Sequence, residues 1–376
     1  MRASVWRNVV YNYAGQFYVV LLSLAVFPLY LGYMHPEEYG LIGFSMLVFA
    51  WLNLIDFGLS PALGREVARL HGMSASASDV RRVVGAFDSL FVCVAAGLII
   101  AFLAFGGFVS REWLDFGSID PSVIDSCVLV MGGIVSVKWM GLSSRSSIDA
   151  LERQGWLNAF DIGISTVKHI GALMVVVFSS GNVVFYFLFV FFVSCIEAIM
   201  LRAKLFYLVP EYNSMGLLSS FRELQRVSMF ALSIGYTGLL WVFMTQLDRL
   251  LLSKSLSLTE YGYFSLVAMI STGIMTLSSP VSRALLPRMT AQVSSGDRDA
   301  VVRVYRQGVR IVAALVFPLA VIACLYAYEI VFSWTGSIQA AAWGKSVLPV
   351  FVAGSALLSV ISFQYYLQYA YGSMRY

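Results

Sequence analysis

Residues 158–179 read NAFDIGISTVKHIGALMVVVFS, an apolar run of membrane-spanning length interrupted by an aspartate, a lysine and a histidine. As one helix, the run sets Asn158, Asp161, Ser165 and Lys168 at i, i+3, i+7 and i+10, all on one face. Lys168 and His169 fall near its middle, where a side chain reaches neither interface easily. An ionisable group in hydrocarbon costs a few kcal/mol, so each is a functional candidate by default. Asp161, two turns away, is out of direct reach of Lys168 on the same helix. Lys168 therefore faces a water-filled cavity or a partner elsewhere, or else staples two helices together.

Working outward, the whole chain has this character. Of 376 residues, 59% are hydrophobic and only 12% charged, with a mean hydropathy of +0.79. A soluble fold cannot hide so much apolar surface, which excludes a soluble enzyme, a disordered chain and a small disulfide-rich domain. No ~10-residue alternating segments suggest a barrel, so the expected class is all-α and polytopic. Ten stretches are long enough to span, near 9–32, 40–59, 84–108, 122–144, 158–179, 183–201, 228–252, 261–280, 308–332 and 346–370. With the N-terminus inside, 19 of the 25 Lys and Arg residues fall on the cytoplasmic side. Arg111, Lys254 and Lys345 fall opposite, and Lys138, Lys168 and Arg249 within spans. That bias predicts a cytoplasmic N-terminus. No cleavable signal sequence is expected.

Other spans carry weaker polar stripes: Asn8, Asn12 and Gln16; Asn53, Asp56 and Ser60; and Ser233, Thr237, Trp241, Thr245 and Asp248. Lys138 lies about two-thirds of the way into the fourth span. Asp88, Glu197 and Glu329 sit near span ends, where interfacial solvation suffices for them. The stripes together predict an aqueous central cavity whose central charges, Lys138 and Lys168, favour an anionic passenger. The four cysteines and three histidines are scattered, which predicts no metal site, and nothing in the sequence calls for a cofactor or for nucleic acid.

The chain also repeats. Glu38-Tyr39-Gly40 returns as Glu260-Tyr261-Gly262 at an offset of 222, and Ala62-Leu63-Gly64-Arg65 as Leu285-Leu286-Pro287-Arg288 at 223. An offset of six spans preserves orientation, so the repeat is parallel, two helical bundles around one cavity. The expected division is a six-helix bundle over 1–206, a cytoplasmic linker over 207–227 and a second bundle over 228–376. Only four spans fall in that second bundle, so it is expected to be incomplete, through C-terminal truncation rather than by design.

Several of these segments resemble the polysaccharide transporters and O-antigen flippases of the multidrug/oligosaccharidyl-lipid/polysaccharide exporter superfamily. They are Phe27-Pro28-Leu29-Tyr30, Glu38-Tyr39-Gly40, Asp56-Phe57-Gly58-Leu59, the run from Gln246 through Asp248-Arg249 to Lys254, and Leu286-Pro287-Arg288. The resemblance implies a flippase of the bacterial inner membrane that carries an undecaprenyl-pyrophosphate-linked oligosaccharide to the periplasmic leaflet. It further implies alternating access coupled to an ion gradient; the chain has no G-x-x-x-x-G-K-[ST] loop for ATP. Lys168, Lys138 and His169 would then face the pyrophosphate or acidic sugars, and Arg65 and Arg288 would border the cytoplasmic mouth. Asp161, Asp56 and Asp248 would be the ion-coupling candidates. The implied partners are the lipid-linked glycan, membrane lipids and other polysaccharide-assembly proteins.

Two neighbouring readings stay open, a drug or metabolite exporter and a lipid II flippase of the same superfamily. An enzyme, such as a polyprenyl-linked sugar polymerase or glycosyltransferase, is the reading of another class. Its one signal is the D-x-D of Asp297-Arg298-Asp299, in a short loop with no soluble domain to hold a sugar nucleotide.

Overall fold

The computed structural model describes residues 17–56, 58–72, 77–113, 119–209, 242–278 and 296–371, with residue 15 and scattered positions within 236–240 and 281–293. Among the described residues every regular element is helical. The α-helices are α1 (Pro36–Ile55), α2 (Leu59–Gly72), α3 (Ala77–Phe108), α4 (Pro121–Ala150), α5 (Gln154–Phe178), α6 (Val183–Leu208), α7 (Leu258–Thr276), α8 (Arg298–Leu325), α9 (Ala327–Thr335) and α10 (Ile338–Tyr371). The apolar helical stretch Phe17–Gly32 precedes α1, and residues 242–255 are helical as well.

Among the described residues, six segments are long and apolar enough to cross a membrane: Ser78–Trp113, Pro121–Ala150, Gln154–Phe178, Val183–Leu208, Arg298–Leu325 and Ile338–Gln368. Helices satisfy their own backbone polar groups, which hydrocarbon demands. The chain is an all-α, multi-pass membrane protein. It forms two compact units, Met1–Gly262 and Tyr263–Tyr376; the expected linker lies outside the described residues from 210 onward.

In the first unit α4 is the central helix, packed against α1, α2, α3, α5 and α6. Its sequence explains why. Ser136, Ser143, Ser144 and Ser147 are buried, and small residues let helices approach where lipid offers no hydrophobic drive. The Ser136 and Ser147 hydroxyls donate to the carbonyls of Gly132 and Ser143, each at 2.8 Å.

Two stretches differ from expectation. The span expected over 40–59 ends at Asp56-Phe57-Gly58-Leu59, and a second helix, α2, begins there. Gly58 takes a left-handed φ of 75°, and Asp56 Oδ1 accepts hydrogen bonds from the Ser60 amide at 3.1 Å and the Ser60 hydroxyl at 2.7 Å. That breaks one helix and caps the next. The new helix is amphipathic, with Ala62, Leu63, Val67 and Leu70 buried and Arg65 and Arg69 exposed. Likewise the span expected over 308–332 divides at Tyr326 into α8 and α9. No proline or glycine marks that break. The Asp297-Arg298-Asp299 motif is the start of α8: Asp297 accepts the Ala300 amide at 2.9 Å, an N-cap.

The repeated Glu-Tyr-Gly segment is helix-start chemistry. In α1 the His35 amide donates to Glu38 Oε2 at 3.2 Å. In α7 the Ser257 amide donates to Glu260 Oε2 at 3.2 Å, and the Glu260 amide to Ser257 Oγ at 3.3 Å. This is a full capping box, halved in the first copy because histidine brings no hydroxyl. Gly40 is required by packing: a Cβ there would stand 1.9 Å from the Leu258 carbonyl oxygen.

Candidate functional site

The αα-hairpin α4–α5 turns at Leu151–Arg153, and Glu152 adopts a positive φ of 60° in the turn. Arg145 precedes this turn by about as many residues as Asp161 follows it, so the antiparallel helices bring the two together. The guanidinium grips the carboxylate with both terminal nitrogens, Nη1 to Oδ2 at 2.9 Å and Nη2 to Oδ1. Such a fork fixes orientation as well as charge. Each side chain is about a third exposed, Arg145 at 36% and Asp161 at 32%. From α6, Glu197 Oε1 reaches to 3.7 Å from Arg145 Nη2, beyond hydrogen-bonding distance.

Beside this pair lies a cavity of about 240 Å³, lined among others by Phe49, Lys138, Arg145, Ser194 and Glu197. Lys138 Nζ sits over the Phe49 ring, 5.3 Å from its centroid. Such a seat holds an ammonium group without neutralising it. Lys168, on α5, stands beside Lys138, with Glu197 as the acid whose field reaches it. Three cations and two carboxylates therefore converge where α4, α5 and α6 meet. Two like charges side by side gain nothing from each other, and a dianion placed between them would gain from both. The arrangement can hold a phosphate-class anion as two point charges, with the Arg145 fork already committed to Asp161.

His169 is near but differently engaged. Its Nδ1 lies 2.8 Å from the Ser165 carbonyl on its own helix, and the Tyr30 hydroxyl donates to its backbone carbonyl at 3.3 Å. Asp56 caps α2 and does not line the cavity. Arg65 and Asp248 are exposed on α2 and on the helix over 242–255 and do not line it either. Arg288 lies outside the described residues, as do Ser233, Thr237 and Trp241.

Sequence reasoning missed Arg145 and Glu197, the first as a topogenic loop charge and the second as an interfacial one. The expected fourth span stopped at residue 144, whereas α4 continues to Ala150 and carries Arg145 on its last two turns. It also missed a second cluster. Asp88 on α3 accepts from Arg202 Nη1 and Nη2 on α6 at 3.1 and 2.6 Å and from the Ser143 hydroxyl on α4 at 3.0 Å. Near-equal placement about the α4–α5 turn was a readable signal for Arg145–Asp161. Nothing comparable links residues 88 and 202.

The polysaccharide biosynthesis protein family matches the chain over residues 5–292. No curated protein sequence matches it. Among solved structures it is similar to the lipid II flippase MurJ in an inward closed conformation, with a TM-score of 0.77 at 12% identity over 98% of this chain and 77% of that one. An inward-facing multidrug resistance MATE family transporter of the MOP superfamily matches with a TM-score of 0.65 at 14% identity, over 95% and 81% of the two chains. A third is a MOP superfamily transporter from Pyrococcus furiosus whose binding pocket is described as of reverse polarity. It gives a TM-score of 0.61 at 14% identity over 98% and 83%. The fold is thus that of the MATE- and MurJ-like membrane transporters.

Proposed function

Because this chain belongs to the polysaccharide biosynthesis protein family, we propose that it is a flippase for an undecaprenyl-pyrophosphate-linked oligosaccharide. The glycan is an O-antigen, capsule or exopolysaccharide repeat unit, moved from the cytoplasmic to the periplasmic leaflet of a bacterial inner membrane. The observation that carries this reading is the Lys138–Lys168 pair, with Lys138 lining the cavity between α1, α4 and α6 and Lys168 of α5 beside it. Two adjacent ammonium groups repel a cationic drug and attract a pyrophosphate, which weighs against the drug-exporter reading. Lys138 and Lys168 hold the pyrophosphate, with His169 behind them. Arg65 lies on the cytoplasmic side, as does the N-terminus, as the basic residues direct. Transport proceeds by alternating access and draws on an ion gradient. Of Asp161, Asp56 and Asp248, Asp161 is the coupling carboxylate nearest the lysines' cavity. The fold's likeness to a lipid II flippase favours one second reading, a lipid II substrate, which the same lysines would serve.

Lys168→Ala tests the reading. The variant should insert into the membrane normally and lose delivery of the lipid-linked oligosaccharide in a strain lacking its own flippase. Full complementation by the variant would remove the cationic site from the mechanism.

A further inference from the structure

We infer that Glu197 is a resident counter-anion, a carboxylate that neutralises the empty lysine site and is displaced when the substrate's phosphate arrives. The inference rests on the reading above and adds a residue and a competition to it.

The carboxylates of the cluster are held very differently. Asp161 is locked by both nitrogens of Arg145. Glu197 approaches the same guanidinium only to 3.7 Å, and among the described residues it accepts no hydrogen bond. A carboxylate only 20% exposed ordinarily finds donors, and one without them stays because of the surrounding field. That field is the cavity's own: Glu197 lines it with Lys138 and Arg145, and Lys168 feels it electrostatically. Among the described residues neither lysine has a carboxylate within ion-pair distance. Glu197 is thus close enough to balance the two ammonium groups and too loosely held to occupy either. A phosphate entering between the lysines meets it as a like charge, and its flexible stem lets it swing aside. Charge balance in the empty site and release of the bound anion follow from one side chain.

The alternative is that Glu197 braces Arg145 and through it the α4–α5 hairpin. The two roles predict opposite signs. Removing a competitor tightens anion binding, whereas removing a brace weakens it or leaves it unchanged. The test is binding of inorganic pyrophosphate to the full chain in lipid nanodiscs, by titration calorimetry at fixed ionic strength. Glu197→Gln keeps the shape and removes the charge. It should bind pyrophosphate about tenfold more tightly than the wild type, the size expected for deleting one like charge a few ångströms from the site. Glu197→Ala should do the same and serves if the glutamine form does not accumulate. A gain of affinity cannot come from structural damage. Wild-type binding with unchanged or weaker binding by both variants overturns the inference and leaves the flippase reading standing. If neither the wild type nor the variants bind, the anion site itself falls, and the flippase reading loses the observation that carries it.

Discussion

Arg202→Met should destabilise the protein more than Asp88→Asn, although both break the same ion pair. The reason is unequal burial. The Asp88 side chain is 3% exposed and that of Arg202 32%. With Arg202 gone, the Asp88 carboxylate stays sealed between α3, α4 and α6 with the Ser143 hydroxyl as its one remaining donor from this cluster. An uncompensated buried charge of this kind costs about 3–5 kcal/mol. With Asp88 neutralised, the Arg202 guanidinium hydrates over the third of its surface that already meets solvent. The asparagine oxygen still accepts one bond, so the loss is about 1–2 kcal/mol.

At about 2.1 cal/mol/K of unfolding entropy per residue, the 376-residue chain loses about 1 °C of melting temperature per kcal/mol. Arg202→Met should therefore melt about 3–5 °C below the wild type and Asp88→Asn about 1–2 °C below, followed by tryptophan fluorescence in detergent micelles. The double variant, which strands no charge, should melt above Arg202→Met alone, the mark of direct coupling. Equal shifts, or a larger loss for Asp88→Asn, would mean that water reaches Asp88 and that the burial argument is wrong.

Two further outcomes follow from the helix ends. Asp297→Ala removes the N-cap of α8 and should cost about 1 kcal/mol in a melting experiment while leaving oligosaccharide delivery intact. A folded variant that has lost delivery would instead revive a functional reading of the D-x-D motif. Gly40→Ala puts a methyl group 1.9 Å from the Leu258 carbonyl, so the first turns of α1 and α7 must separate, at about 1–3 kcal/mol or more. Wild-type yield and melting temperature for that variant would contradict the close approach.

The fold was legible where physics is local. Hydropathy located α3, α5 and α6 because twenty or so apolar residues have one stable form in a membrane. The boundaries were less legible, for two different reasons. Asp56 and Gly58 were visible as breakers, yet only tertiary burial of Leu63 and Val67 shows that the chain beyond them is a helix rather than a loop. The break at Tyr326 has no local signal at all. For the site, Lys138 and Lys168 were readable as charges in hydrocarbon, but on separate helices, and their adjacency is tertiary information. Arg145 was misjudged because the apolar run gives way to serines on both sides of it, and hydropathy ends a span there. A helix ends where its backbone does, and a partner such as Asp161 lets it carry a charge well inside.

The segments that resemble the family and the residues of the charged cluster on α4, α5 and α6 are disjoint sets. Glu38 and Glu260 cap helices, Gly40 permits a close approach, and Asp56 and Gly58 turn the chain into α2. Phe27 packs edge to face on both Tyr30 and Tyr39, and Tyr30 packs in the same way on Tyr186. All of these build the scaffold, and any passenger of suitable size is compatible with them. Lys138, Arg145, Asp161, Lys168 and Glu197 stand instead in apolar helices outside those segments, where a change of charge leaves the helix intact and, on the proposed reading, alters what the cavity attracts. A chain with this scaffold and acidic residues at 138 and 168 would keep the family resemblance and favour a cation. On the proposed reading the substrate class is set by these five charges of α4, α5 and α6, and the motifs that identify the family are silent about it.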